Sequence, residues 1–165
     1  MQHVQTRSTT SALVLTAVLI ALATLFTMYT KIPVPGIRGY FNVGDVVIMT
    51  SALLLGRKYG AYIGAIGPAL ADLFLGYAVF VPITFVVKGI EGYLVGTVYN
   101  NKTTTSALVA TIVGGIVIVA GYFIAEYFVF DPGVAIASIL TNTIQAVMSV
   151  IISMILYAIL RRRLS

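Results

Sequence analysis

Seven polar side chains interrupt the apolar stretches of this sequence, and they are the residues best able to do chemistry. They are Asp45, Asp72, Lys88, Glu91, Glu126, Asn142 and Gln145. Carboxylates and an ammonium group can transfer protons or pair with a polar solute, while amides both donate and accept hydrogen bonds. Because a charged side chain at the centre of a membrane helix costs about 2.5–3.5 kcal/mol, each charge needs a compensating role if its segment crosses a bilayer.

The spacing of these residues predicts which of them share a helix face. Lys88 and Glu91 are three residues apart, and so are Asn142 and Gln145, so each pair points to one side of a helix. One interpretation is structural: the two charges neutralise each other and the two amides link neighbouring helices. The other is a binding site on which the polar faces converge.

Composition favours a membrane protein as the setting. Of 165 residues, 59% are hydrophobic and 9% are charged, whereas a soluble domain carries about 25% charged residues. A bilayer accommodates that apolar surface because its core is itself apolar. The sequence has no cysteine and one histidine, His3, which argues against a disulfide framework, a metal site and a histidine-based triad. We therefore expect no catalytic group, metal or cofactor.

The apolar segments predict an all-α integral membrane protein, a six-transmembrane-helix bundle that forms one domain over residues 1–165. The predicted helices cover about residues 11–29, 43–55, 59–75, 82–98, 106–129 and 134–160. Residues 30–42 contain two prolines and two glycines, which predicts a loop that could act as a lid. The segment 43–55 is short for a full crossing, which needs about 20 residues.

The basic residues predict the orientation of the bundle. With the N-terminus inside, the outer loops hold only Lys31 and Arg38. The inner regions hold Arg7, Arg57, Lys58, Lys102 and Arg161 to Arg163. This asymmetry predicts that both termini lie on the cytoplasmic side of the membrane. Because these charges lie in tails and short loops, they do not form the basic stripe typical of a nucleic-acid-binding protein.

In this orientation the polar residues of five predicted helices fall in the outer half of the bundle. Aromatic residues surround the same level, and most of them are typical of the interfacial belt. A structural role for all the polar groups would not explain why they lie on one side. A water-accessible pocket that opens to the outside and takes a small, polar, heterocyclic solute would explain it.

Small residues four positions apart, such as Ala17 and Ala21, allow helices to approach closely in lipid. Internal packing is the ordinary interpretation, and a docking face for a partner helix is the alternative. No GxxxxGK[ST] phosphate loop is present, so the chain lacks that route to ATP hydrolysis. A transporter of this size would therefore draw its energy from partner subunits.

In these features the chain resembles the substrate-binding S components of energy-coupling factor (ECF) vitamin transporters. The similar stretches are Phe41–Val46, Gly60–Gly64, Ala71–Leu73, Lys88–Gly92 and Asn142–Gln145. The resemblance implies a six-helix fold with an outward pocket that is closed by the outer loops. It also implies three partners, a transmembrane coupling subunit and two cytoplasmic ATPases, with Ala17 and Ala21 contacting the coupling subunit.

The main hypothesis is that the chain captures a vitamin or vitamin precursor of the riboflavin, pyridoxine or hydroxymethylpyrimidine class. The predicted ligand-binding residues are Lys88, Glu91, Asn142, Gln145, Asp72, Glu126 and Asp45, with Tyr40 and Phe41 closing the lid. Two alternatives remain open at this stage. One is a membrane enzyme acting on a lipid or isoprenoid, with carboxylates as acids or metal ligands, and the other is a structural bundle without a ligand.

Overall fold

A computed structural model describes residues 9–33, 40–99 and 103–164 of the chain, and this part is almost entirely helical. The helices are α1 (Thr9–Tyr29), α2 (Gly44–Leu55), α3 (Arg57–Phe74), α4 (Phe80–Val98), α5 (Thr104–Val129) and α6 (Pro132–Leu164). A two-stranded hairpin, β1 (Ile32–Pro33) and β2 (Tyr40–Phe41), joins α1 to α2. The six predicted helices are therefore present.

Local chemistry explains where several helices begin and end. Gly56 separates α2 from α3 with a φ of +90°, a left-handed conformation that glycine adopts without a steric penalty. Thr103 caps α5 by accepting a hydrogen bond from the Ser106 amide. Asp131 accepts one from the amide of Val134, and Pro132 occupies the first turn of α6, where a missing N–H costs nothing.

The hairpin is a feature that the sequence did not predict. Its strands pair antiparallel, with Ile32 opposite Phe41 and Pro33 opposite Tyr40. Just beyond it, the hydroxyl of Thr30 accepts a hydrogen bond of 3.0 Å from the amide of Val43. Backbone pairing and this hydrogen bond thus hold the two ends of the predicted lid together. Its middle, residues 34–39, lies outside the described residues.

The short helix α2 lies at the centre of the bundle. Ten of its twelve residues are buried, and it contacts α1, α3, α4 and α6. Four other helices are long and apolar enough to cross a membrane, within Thr10–Tyr29, Phe80–Val98, Thr104–Val129 and Pro132–Arg161. The prediction of six transmembrane helices is thus supported by length and composition for four of the six helices. At 1.5 Å per residue α2 is about 18 Å long, which is shorter than the apolar core of a bilayer, about 30 Å thick.

Glycines let α3 and α4 pack against each other at close range. A Cβ atom on Gly60 would lie 2.6 Å from the carbonyl oxygen of Gly92, which is far inside van der Waals contact. At the perimeter, large apolar side chains are exposed, among them Leu13 at 65%, Leu140 at 68% and Phe128 at 80%. A bilayer stabilises an apolar perimeter of this kind because its core is itself apolar.

Candidate functional site

The polar residues of five helices meet at one end of the bundle, which we call the hairpin end. It is the end that holds β1 and β2 together with the α3–α4 and α5–α6 turns. Two contacts establish that these parts lie together: the Lys31 ammonium is 5.2 Å from the centre of the Tyr77 ring, and the Phe80 and Phe130 rings are 5.4 Å apart. The opposite end holds the paired hydroxyls of Tyr99 and Tyr157.

A cavity of about 40 Å³ lies within the bundle at the hairpin end. Five of the predicted ligand-binding residues line it: Asp72, Lys88, Glu126, Asn142 and Gln145. Two more, Asp45 and Glu91, lie directly behind Lys88. The side chains of Tyr40 and Phe41 are outside the described part of the structure, so their predicted role as a lid stays a prediction.

A buried ion cluster forms the floor of this site. The ammonium of Lys88 donates to Oδ1 of Asp45 at 2.5 Å and lies 3.4 Å from Oε2 of Glu91. All three side chains are almost completely buried, at 1%, 0% and 0% exposure. The spacing of Lys88 and Glu91 predicted their pairing, but the closer partner, Asp45, comes from a different helix 43 residues away.

Gln145 connects this cluster to the end of the hairpin. Its Nε2 donates to Oδ2 of Asp45 at 2.7 Å, and its Oε1 accepts from the backbone amide of Asn42 at 3.0 Å. The side chain of Asn42 in turn accepts from the amide of Gly44 at 2.8 Å. One amide group therefore joins α6, the first turn of α2 and the segment that follows β2.

On the other side of the cavity, α4, α5 and α6 supply hydroxyl, carboxyl and aromatic groups. The hydroxyls of Thr84 and Tyr122 are 3.0 Å apart, and Ser138 donates to Oε2 of Glu126. Lys88 lies 5.4 Å from the centre of the Tyr122 ring, within cation–π range. Phe80, which is 7% exposed, completes this wall.

Some buried polar atoms of the site make no hydrogen bond within the described part of the chain. Among the described residues, both carboxylate oxygens of Glu91 and the hydroxyl of Thr27 have no hydrogen bond, and Thr27 lines the cavity. An unpaired buried polar group costs about 1–3 kcal/mol, so native structures keep few of them without a reason. Within the described residues, no three acidic or histidine side chains are placed to hold a metal ion.

Sequence reasoning missed the hydroxyl groups of the site. Thr27, Thr84 and Ser138 all line the cavity, but a single Ser or Thr in an apolar helix carries little signal because it can hydrogen-bond to its own backbone, as Thr16 does to Ala12. Predicting them would have required the helix contacts that bring them next to Asp72 and Glu126.

Known proteins match this chain over nearly its whole length. A family model described as the S component of an ECF-type riboflavin transporter matches residues 7–162. An uncharacterized protein in the gap 3′ region of Pyrococcus woesei is 41% identical over 144 residues, which cover 86% of this chain and 95% of that protein. The thiamine precursor transporter HmpT of Lactococcus lactis is 30% identical over 149 residues, covering 89% of this chain and 83% of the transporter.

Solved structures agree in fold. The S component of a bacterial ECF transporter superposes with a TM-score of 0.77 at 21% identity, covering 94% of this chain and 98% of the other. The S component for biotin from an ECF-type ABC transporter superposes with a TM-score of 0.68 at 19% identity, covering 93% and 90%.

Proposed function

The chain belongs to the family of S components of ECF-type riboflavin transporters, a family of vitamin and precursor transporter subunits, and we propose that it captures its substrate from outside the cell. The substrate is a vitamin or vitamin precursor of the riboflavin, pyridoxine or hydroxymethylpyrimidine class. The observation that carries this proposal is the cavity at the hairpin end, where five helices present polar groups inside an apolar bundle.

The energetics of the ion cluster favour a binding role. Burying Asp45, Lys88 and Glu91 together costs several kcal/mol per ion before their attraction is counted, and apolar residues of similar volume would often be as stable. The cluster also leaves both oxygens of Glu91 without a hydrogen bond. Of the three residues only Lys88 lines the cavity, so a substrate would contact the cluster through its ammonium group. Such a contact gives the arrangement a function that packing alone does not.

The proposed orientation places the hairpin end outside and both termini in the cytoplasm. The opposite end carries Arg57, Lys58 and Arg161, whereas Lys31 lies at the hairpin end. An excess of Lys and Arg on the cytoplasmic side is the usual pattern. The cavity then faces the medium from which a vitamin is taken up.

The substrate contacts we propose are Lys88, Asn142 and Gln145 on the cavity wall, with Asp72, Glu126, Asp45 and Glu91 around them. The cavity of about 40 Å³ is smaller than the cavity of about 150 Å³ that admits benzene in another protein. A one-ring solute therefore requires the site to open. The hairpin, which Gln145 holds through the Asn42 amide, is the element we expect to move, and Tyr40 and Phe41 would close it again.

The proposed partners are a transmembrane coupling subunit and two cytoplasmic ATPases. Ala17 and Ala21 are exposed on α1, beside exposed Leu13, Val18 and Leu25. This combination gives a flat apolar strip that a partner helix can approach closely. Hydrolysis of ATP by the partners would supply the energy for substrate release on the cytoplasmic side.

The proposal is tested by substrate binding to the purified full chain. Mass spectrometry of co-purifying small molecules, followed by calorimetry with riboflavin, pyridoxine and hydroxymethylpyrimidine, should identify a ligand with micromolar or tighter affinity. Asn142→Ala should weaken its binding about threefold to tenfold, the loss of one hydrogen bond. Thr143→Ala, which alters the adjacent exposed side chain, should leave it unchanged. A folded protein that binds none of these heterocycles would refute the proposal.

A further inference from the structure

A stripe of buried polar residues continues along α6 beyond the cavity, with one helical turn between successive members. The members are Gln145, Ser149, Ser153 and Tyr157. Residues four positions apart lie on one face of a helix, about 6 Å apart along its axis. Gln145 lines the cavity, and the hydroxyl of Tyr157 pairs with that of Tyr99 at the end opposite the hairpin. The stripe therefore runs for about 18 Å from the cavity toward that end.

Two contacts show that this stripe faces α2. Gln145 donates to Oδ2 of Asp45 at 2.7 Å, and the hydroxyl of Ser153 donates to the carbonyl oxygen of Val46 at 3.5 Å. Ser149 lies between these two contacts, one turn from each of them. Its completely buried side chain therefore faces α2 as well.

Thr50 adds a hydroxyl from the α2 side. It follows Val46 by one turn and is 7% exposed. The carbonyl group of a helical residue points toward the residue four positions later, so the Val46 oxygen that Ser153 contacts lies next to Thr50. We call the space between the two helix faces the α2–α6 seam, and it is lined by Thr50, Ser149 and Ser153.

Two hydroxyls of the seam make no hydrogen bond within the described part of the chain. They are the hydroxyls of Thr50 and Ser149. A buried hydroxyl in a helix can bond to the carbonyl four residues before it, as Thr16, Thr24 and Thr111 do. The two seam hydroxyls do not make this bond, although the carbonyls are present in their own helices. Because an unpaired buried hydroxyl is costly, each of them calls for another partner in the seam.

The spacing of the stripe identifies water as that partner. Two O–H···O hydrogen bonds of about 2.8 Å span about 5.6 Å, which matches the about 6 Å between side chains one turn apart. A buried water needs two to four polar partners, and the seam supplies them from three hydroxyls and the Val46 carbonyl. Serine side chains are also small, so they leave space that a leucine or isoleucine would fill.

We propose that the α2–α6 seam binds ordered water molecules, which join the cavity to the Tyr99–Tyr157 pair through a chain of hydrogen bonds. Each water bridges two polar groups of the stripe on α6, and Thr50 is a further partner on α2. The polar groups of the bundle then form one hydrated network from end to end, rather than a cavity with a dry floor. This inference concerns water and does not depend on which solute the cavity takes.

Substitutions that remove a hydroxyl distinguish a hydrated seam from a dry one by the sign of their effect. Thr50→Val and Ser149→Ala are made in the full chain, and thermal unfolding is measured in detergent. If water bridges the seam, each change should lower Tm by about 2–4 °C, because the water loses a partner. In a dry seam each change would remove an unpaired hydroxyl, and alanine also has the higher helix propensity. An unchanged or higher Tm would therefore overturn the proposal.

Thr111→Val is the matched control. Thr111 is buried in α5, but its hydroxyl bonds to the carbonyls of Ala107 and Leu108 in its own helix. Helical carbonyls keep their backbone partners when such a hydroxyl is removed, so Thr111→Val should lower Tm less than Thr50→Val does. The opposite order would contradict a bound water at Thr50.

The water itself is detected by NMR spectroscopy of the full chain in nanodiscs, with labelled threonine methyl groups. The Thr50 methyl group should show cross-relaxation with water, and this signal should weaken in Ser149→Ala. The methyl group of Thr111, which is also buried, should show none. Absence of the signal at Thr50 in the wild type would overturn the proposal even if both variants are destabilised. This measurement also decides the matter if the variants do not fold.

Discussion

Asp45→Asn should destabilise the protein strongly, although the change replaces one oxygen with nitrogen. Asp45 is completely buried and accepts from two donors, Lys88 at Oδ1 and Gln145 at Oδ2. The new amide has one acceptor oxygen and one NH2 group with two donors. If its oxygen accepts from Lys88, its NH2 group faces the Nε2 donor of Gln145. If the side-chain amide of Gln145 rotates by 180° to avoid this donor–donor contact, its NH2 group then faces the backbone N–H of Asn42, which loses its acceptor.

The magnitude follows from the interactions that are lost. Weakening the charge-assisted bond to Lys88 costs about 1.5–3 kcal/mol, and leaving one donor unpaired adds about 1–3 kcal/mol. Glu91 stays 3.4 Å from the ammonium and still partly compensates its charge. The total loss in the free energy of unfolding should therefore be about 3–5 kcal/mol, the range typical of a broken buried pair. For a chain of this size that corresponds to a decrease in Tm of about 6–20 °C.

Thermal unfolding of the detergent-solubilised chain provides the assay. Asp131→Asn is the exposed control: it keeps an oxygen that can accept from the Val134 amide, so its stability should stay within about 1 kcal/mol of wild type. A double-mutant cycle with Lys88→Met isolates the pair, because removing both charges should cost at least about 1 kcal/mol less than the sum of the single changes. A Tm within 2 °C of wild type for Asp45→Asn, or strictly additive costs in the cycle, would refute the reasoning.

Three further predictions concern packing, the hairpin and the partner. Gly60→Ala should lower stability by about 1–3 kcal/mol in thermal unfolding, because the added methyl group would meet the Gly92 carbonyl oxygen at 2.6 Å. Gln145→Leu should speed hydrogen exchange of the Asn42 amide, measured by mass spectrometry, since that amide loses its acceptor. Ala17→Trp should leave substrate affinity unchanged but reduce co-purification of the proposed coupling subunit about tenfold or more, because the side chain is exposed on α1.

Each of these has a matched control within the chain. Gly115→Ala places its methyl group 3.3 Å from the Ala146 side chain and should be milder than Gly60→Ala. Thr143→Val alters an exposed position on α6 and should not change exchange at Asn42. Ile116→Trp, on the exposed face of α5, should retain the coupling subunit. If a control variant changes stability, exchange or co-purification as much as its test variant does, the proposed contact is not the cause of that change.

The helices could be predicted because apolar runs and their breaks are local signals. The hairpin could not, since two residues per strand carry no periodicity and the pairing of Ile32 with Phe41 depends on chain closure. The site could be predicted from the sequence only in part. Lys88 and Glu91 are close in sequence, so their shared face was predictable, whereas the contact between Lys88 and Asp45 depends on how α2 packs against α4. The role of Thr27 depends on the same kind of non-local contact.

The shortness of α2 explains why the site lies where it does. Its twelve residues span about 18 Å, whereas the apolar core of a bilayer is about 30 Å thick. If α2 ends near the surface at Gly56, beside Arg57 and Lys58, it begins about 12 Å below the opposite surface.

Lys88 lies eight residues after Phe80, which is about 12 Å along α4 by the same rise. The two estimates place Asp45 and Lys88 at one depth, as their 2.5 Å contact requires. Asp45 also lies in the first turn of α2, where the helix dipole stabilises a carboxylate. A helix that stops short of one surface thus creates a recess at that end, and its first turn supplies the charge around which the site is built.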